Sequence, residues 1–109
     1  MSDTHTIKIK QGNADGTLDL SDGGHTFAKN KDFISWNIKK GTEVTSIEKI
    51  EKKSGADIFK TPPHFNGTDW VAEIKDDLPE DSEWEYSITW NGQFGRLVFD
   101  PIISVNPST

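Results

Sequence analysis

Short runs of alternating apolar and polar residues, each ended by a turn rich in glycine, asparagine or aspartate, recur along the whole chain. In residues 5–10 this places His5, Ile7 and Ile9 on one face and Lys8 and Lys10 on the other. Residues 33–38 repeat it with Ile34, Trp36 and Ile38, and residues 69–74 with Trp70, Ala72 and Ile74. A side-chain period of two is the mark of a half-buried strand. The clusters at 12–16 and 21–24 supply residues that tolerate positive φ, so they read as turns, with a brief strand at 17–20 between them. The two prolines of residues 61–67 remove two backbone donors, and that segment reads as a loop. An acidic connector follows at 76–83.

One stretch fits two periods. In residues 42–53, Val44, Ile47 and Ile50 recur every three positions, as on a helix, among lysines and glutamates that favour helices. Val44-Thr45-Ser46-Ile47 favours a strand, which one bulge would reconcile with the spacing. The β character of every flanking element makes a strand the expectation, with residues 56–60 continuing it.

The end of the chain is the most explicit. Asn91-Gly92 suits a two-residue hairpin turn that needs positive φ twice. A turn there sets Trp90 opposite Gln93, Ile88 opposite Gly95, Tyr86 opposite Leu97 and Trp84 opposite Phe99. Trp84, Tyr86, Ile88, Leu97 and Phe99 then share one face, and Glu85, Ser87, Thr89 and Arg96 the other, with Val98 and Phe94 as exceptions. Asp100-Pro101 interrupts the second strand, and residues 102–105 resume it.

A chain of 109 residues with eleven Phe, Trp and Tyr can bury one core without cross-links. The expectation is a single domain spanning residues 1–109. Its fold class is all-β: a two-layer Greek-key β-sandwich of seven or eight short strands, cupredoxin-like or immunoglobulin-like.

The cupredoxin side of that expectation has its own residues. The segment 84–99, Trp84-x-Tyr86 leading through a loop to Gly95 and a final strand, with Ile103-Ser104-Val105 closing the chain, resembles the end of a cupredoxin-like domain. In copper-binding members the residue two after that tyrosine is the cysteine ligand, followed in the loop by histidine and methionine. Here that position is Ile88, and residues 89–94 hold neither histidine nor methionine. His64, in Pro62-Pro63-His64-Phe65, stands near an apolar strand as a histidine does in those proteins. It cannot make the site alone, because blue-copper geometry needs a thiolate. The resemblance therefore implies the fold without the copper, and no cofactor is expected.

Charge narrows the partners. The net charge is −6, and it is uneven: residues 1–60 carry ten lysines against nine acids, residues 61–109 only Lys75 and Arg96 against nine. Such a half repels phosphate backbones and anionic membranes, so neither nucleic acid nor membrane is an expected partner. With no cysteine there are no disulfides. The opening residues show no apolar leader segment, so a cytoplasmic location is expected.

Catalytic and metal patterns are weak. His5, His25 and His64 lack ligand spacing, and Asp15, Asp19 and Asp22 do not follow a calcium loop, so turn chemistry accounts for them. No nucleophile elbow or phosphate loop is present, and no enzyme is expected. The carboxylates of Asp76, Asp77, Glu80, Asp81, Glu83 and Glu85 read as a solvated connector, or as a docking patch for a basic partner.

Aromatics supply the remaining candidates. Trp36, Trp70 and Trp84 fall on inward phases. Trp90, beside the Asn-Gly turn and opposite Gln93, is expected to be half exposed, with Phe94 and Phe65 able to join it. Two functions follow. The first is a copper-free cupredoxin-like module of a larger bacterial assembly, engaging a protein partner through loop aromatics or the acidic connector. The second, disfavoured by the cytoplasmic expectation, is a small carbohydrate-binding domain with Trp90 as stacking ring.

Overall fold

The alternating runs become strands in the computed structural model, which describes residues 3–107; residues 1, 2, 108 and 109 of the expected domain lie outside that description. The strands are β1 (Thr4–Gly12), β2 (Leu18–Leu20), β3 (His25–Ala28), β4 (Phe33–Ile38), β5 (Val44–Gly55), β6 (Phe59–Phe65), β7 (Trp70–Ile74), β8 (Ser82–Gly92), β9 (Gly95–Phe99) and β10 (Ile102–Val105). One sheet has the order β2-β1-β4-β7-β6 and the other β3-β10-β8-β5, with β9 also paired to β8. β1 with β4 and β3 with β10 are parallel pairs; the other pairs are antiparallel. The architecture is an all-β, two-sheet sandwich around one apolar cluster. Ten strands replace the seven or eight expected, because the polar breaks at 13–17 and 100–101 and the double-proline segment do not merge or remove elements.

β5 resolves the ambiguous stretch. Its apolar period of three is real, with Val44, Ile47 and Ile50 buried and the pairs of residues between them exposed. Yet it is a strand, paired along β8 with Val44 opposite Gly92, Ile47 opposite Trp90 and Ile50 opposite Ile88. An extra residue slips in between Val44 and Ser46, and again between Ile47 and Lys49. Three residues of β5 thus match two of β8, and each bulge returns the next apolar side chain to the core. Two bulges, not one, are needed between Val44 and Ile50, and a third register shift lies between Lys52 and Ser54. Residues 56–58 do not continue β5; they cross to the other sheet, where Phe59 begins β6.

The double-proline loop is a correction. Pro62 and Pro63 lie inside β6, an edge strand, with a register shift between Thr61 and His64. An edge strand has one side without a ladder partner, so the missing donors cost little there.

The last hairpin is a second correction. Asn91 and Gly92 remain in the ladder, opposite Arg96 and Gly95, and the chain turns at Gln93-Phe94. Gly95, at φ +98°, follows the turn. Gly92 serves a close approach instead: a Cβ there would overlap the Glu43 carbonyl oxygen. Ile88 therefore faces Phe99 and Trp90 faces Leu97. The displacement is even, so each side chain keeps its face. Leu97 and Phe99 pack on the core, while Arg96 and Val98 point to solvent. β9 and β10 keep one register along β8 across the Asp100-Pro101 break.

The core is tied across the layers by aromatics. Trp36 of β4 meets Tyr86 of β8 edge-on, and its Nε1–H donates to the Tyr86 hydroxyl at 3.1 Å. Trp84 stacks on Tyr86 with centroids 4.6 Å apart, and Phe59 of β6 stands edge-on to Trp84. Burial pushes the Tyr86 phenol up, so it stays neutral. Tyr86→Phe leaves the Trp36 indole N–H without an acceptor; the expected cost is about 1–3 kcal/mol in urea unfolding, with the slope unchanged.

A buried carboxylate anchors the first strand. Asp32 accepts from the Asp3 amide at 3.0 Å, the Lys29 amide at 2.9 Å and His5 Nε2 at 2.7 Å. Burial alone would raise its pKa, but these donors outweigh burial and hold it below the usual carboxylate range. With a folded value below an unfolded value of about 3.9, the carboxylate contributes stability above that pH and loses it as pH falls through the folded value. Asp32→Asn is therefore expected to be less stable than the parent near neutral pH. It should also lose less stability on acidification, as thermal melts across the acid range will show.

Candidate functional site

A hairpin builds one concave site. Asn66 Oδ1 accepts from the amides of Thr68 and Asp69, both at 2.9 Å, and the Asn66 amide donates to the Asp69 carbonyl. With Gly67 between them, this tight turn joins β6 to β7 and sets Phe65 directly opposite Trp70. Their rings lie 6.3 Å apart at a tilt of 48°. Phe65 is 57% exposed and Trp70 half-buried. Trp70 pairs in turn with Trp36, which places Asn37 near the same turn, and Asn37 Nδ2 donates to Asp69 Oδ1 at 2.8 Å.

Together these residues form one wall of a cleft of about 580 Å³ between the two sheets. The facing wall is residues 45–48 of β5, with Ile47 at its base and Glu48 held by Arg96. The cleft therefore has an apolar floor, two aromatic rings at its rim, and an amide–carboxylate pair flanked by the hydroxyls of Thr45, Ser46 and Thr68. Such convergence of an apolar floor with a few polar groups is the general form of a small-ligand site.

The expected site residues are distributed otherwise. Phe65 lines the cleft. Trp90 does not: it is fully buried, and its Nε1–H donates to the Gly16 carbonyl at 3.0 Å. The half-exposed ring expected there is thus corrected. Because the hairpin turns two residues later than expected, Trp90 lies within the strand ladder rather than at the tip, over the first sheet's turn. Phe94 is exposed at that tip, apart from the cleft lining.

Asp76, Asp77, Glu80 and Asp81 are exposed on the connector that leaves the other end of β7. The connector is well fastened. Asn30 and the Leu78 backbone exchange two hydrogen bonds, Asn106 Nδ2 reaches the Leu78 carbonyl, and the Asp81 amide donates to Asn106.

The remaining candidates carry structural roles. Asp15 Oδ1 accepts from the Thr17 amide and hydroxyl, and Asp22 from the Gly24 amide and Thr26 hydroxyl, which is turn chemistry. His5 and His25 line one groove at the opposite seam, but His5 binds Asp32 and His25 binds Ser104 at 2.7 Å. His64 is exposed and bonds the Pro62 carbonyl. Among the described residues no three His, Asp or Glu side chains are placed to hold a metal ion. The side chain at the cysteine position of the cupredoxin resemblance, Ile88, has no donor atom and is buried opposite Ile50 and Phe99, so the residues there do not fit a copper ion.

The residues missed at first are Trp70, Asn37 and the 45–48 wall. Asn66-Gly67 was their signal: of the chain's two Asn-Gly pairs, it is the one that closes a hairpin. No protein-family model matches the sequence, and no curated protein is significantly similar to it. No helix among the described residues is long and apolar enough to cross a membrane.

Trp36, Trp84 and Trp90 are at most 3% exposed, which leaves Trp70 as the tryptophan within reach of solvent. Trp70→Phe is expected to remove most of the acrylamide-quenchable fluorescence while leaving the bulk of the emission.

Proposed function

We propose that the chain is a copper-free, cupredoxin-like sandwich working as a non-catalytic binding module, with the seam cleft as its working surface. The family reading draws support from the arrangement of its closing strands. Trp84-x-Tyr86 lies on β8 and Gly95 leads the next strand, although the ladder runs on to Gly92 and the loop between them shrinks to Gln93-Phe94. Support for a non-catalytic role comes from the polar groups of the cleft, where Asp69 is engaged by Asn37 and Glu48 by Arg96.

The observation that carries the binding reading is the Phe65–Trp70 pair at the rim of an apolar cleft. Phe65 and Trp70 stand side by side across one hairpin and border an apolar floor, so together they offer a continuous aromatic face to a ligand. Of the two ligand classes that suit this domain, a protein partner draws on Phe65, Phe94 and the fastened acidic connector. A carbohydrate no longer has Trp90 as its platform, but it has Phe65 and Trp70, with Asn37 and Asp69 to bind hydroxyls. Localisation in the cytoplasm stays part of the proposal.

The test is a proton–nitrogen NMR titration following the four indole N–H signals, with a mixed oligosaccharide pool and then short aromatic peptides as probes. The Trp70 indole and the amides of residues 45–48 and 65–69 are expected to shift together at millimolar probe or below. Phe65→Ala should abolish the response without lowering the melting temperature. Shifts confined to other surfaces, or none at all, would overturn the assignment.

A further inference from the structure

Asn37 and Ile38 line not only the cleft but also a second hollow of about 440 Å³, whose other lining residues are Lys8, Lys10, Lys39 and Lys40. Its origin is simple. Lys8 and Lys10 take the outward phase of β1, alternating with buried Ile7 and Ile9. In the parallel β1–β4 pairing Lys8 stands beside Asn37. The Lys39 amide then donates to the Ile9 carbonyl at 3.0 Å, which carries the ladder one step further and keeps residues 39 and 40 next to Lys10.

No carboxylate lines this hollow. None of these four lysines has a carboxylate partner among the described residues; Lys29, Lys31, Lys60 and Lys75 have none either, and what sets the four apart is that they border one hollow. In a chain of net charge −6, four cations converge without neutralisation beside an aromatic cleft. Mutual repulsion in such a cluster is relieved by an anion.

We infer that cleft and hollow form one extended site for an acidic oligosaccharide. A sugar ring lies against Phe65 and Trp70, its hydroxyls meet Asn37, Asp69 and Thr45, and a carboxylate or sulfate on the adjoining sugar sits among the four lysines. The distribution of charge selects this ligand over other anions. Asp69 lines the cleft and can accept hydroxyl protons, Glu48 there is paired with Arg96, and no lysine or arginine lines the cleft to receive a carboxylate or phosphodiester. The ligand must be neutral and hydroxyl-rich at one end and anionic at the other. An acidic peptide or a nucleic acid, charged throughout, meets Asp69 in the cleft and no cation that lines it.

This inference rests on the reading of the cleft as the binding site, and the experiment separates the two. The full chain is titrated with an oligogalacturonate, a sulfated heparin-derived tetrasaccharide, neutral cellotetraose and an oligoglutamate peptide, with the Trp70 indole and the backbone amides followed by NMR. At least one acidic saccharide is expected to move both the Trp70 indole and the amides at residues 8–10 and 39–40. Which one responds identifies carboxylate or sulfate as the anion.

Two double variants, K8Q/K10Q and K39Q/K40Q, should each bind roughly three- to ten-fold more weakly at low salt, the size expected for two exposed charge pairs. The difference should shrink as salt rises, and Lys→Arg versions should restore binding. These side chains are exposed, so unchanged melting temperatures will show that the fold is intact.

Equal binding of cellotetraose, unaffected by the lysine changes, would overturn the acidic ligand and leave the cleft as a binding site. A response to oligoglutamate alone would overturn the saccharide. Lysine amides that shift without the Trp70 indole would overturn the joint site. No response to any probe would overturn both this inference and the binding role of the cleft.

Discussion

One hydrogen bond between two large side chains, Trp36 Nε1–H to the Tyr86 hydroxyl, sets the spacing on which the rest of the sandwich depends. Both residues are essentially unexposed, so the bond forms in a medium where neither partner has water as an alternative. It joins a central strand of one sheet to a central strand of the other. Trp84 stacked on Tyr86 and Phe59 edge-on to Trp84 return the contact to the first sheet. The chain of rings therefore runs from sheet to sheet and back. It holds the two layers at a separation that smaller aliphatic residues then fill.

The site follows from that spacing. Trp36 is paired with Trp70 across the ladder, so whatever fixes Trp36 also fixes the position of the cleft's aromatic wall. The opposite wall depends on the bulges of β5. The first two each return an apolar residue to the core and leave two polar ones outside, which is why Thr45, Ser46 and Glu48 stand along the mouth while Ile47 lines its base. The same irregularity protects the molecule. β5 is a long edge strand, and bulges with a charged outer row make it a poor template for another chain.

Much of this was legible from local pattern. Period-two runs marked β1, β4 and β7, and the faces of β8 and β9 followed from alternation alone. The hairpin register was not legible, because Asn-Gly is a turn signal only when nothing else demands the glycine. At Gly92 the Glu43 carbonyl, in the bend that leads into β5, demands it. Trp90 follows the same cause: with the turn two residues later than Asn-Gly implies, its ring lies within the ladder rather than at the tip, and its N–H binds Gly16 seventy-four residues away. The prolines of β6 misled through a rule that holds inside sheets and lapses at an edge.

The sequence by itself determined the all-β class, the inward phases and the sign of charge along the chain, because these depend on neighbours two to four residues apart. Tertiary structure alone decided which strands become edges, which glycine turns and which admits a passing backbone. It also decided that Phe65, Asn37, Glu48 and four scattered lysines surround adjoining hollows. Those residues come from β1, β4, β5, β6 and the segment after β4, and their proximity arises only when the parallel β1–β4 ladder and the inter-sheet aromatic contacts are made. No local spacing encodes such contacts, because their partners meet only after the two sheets have packed.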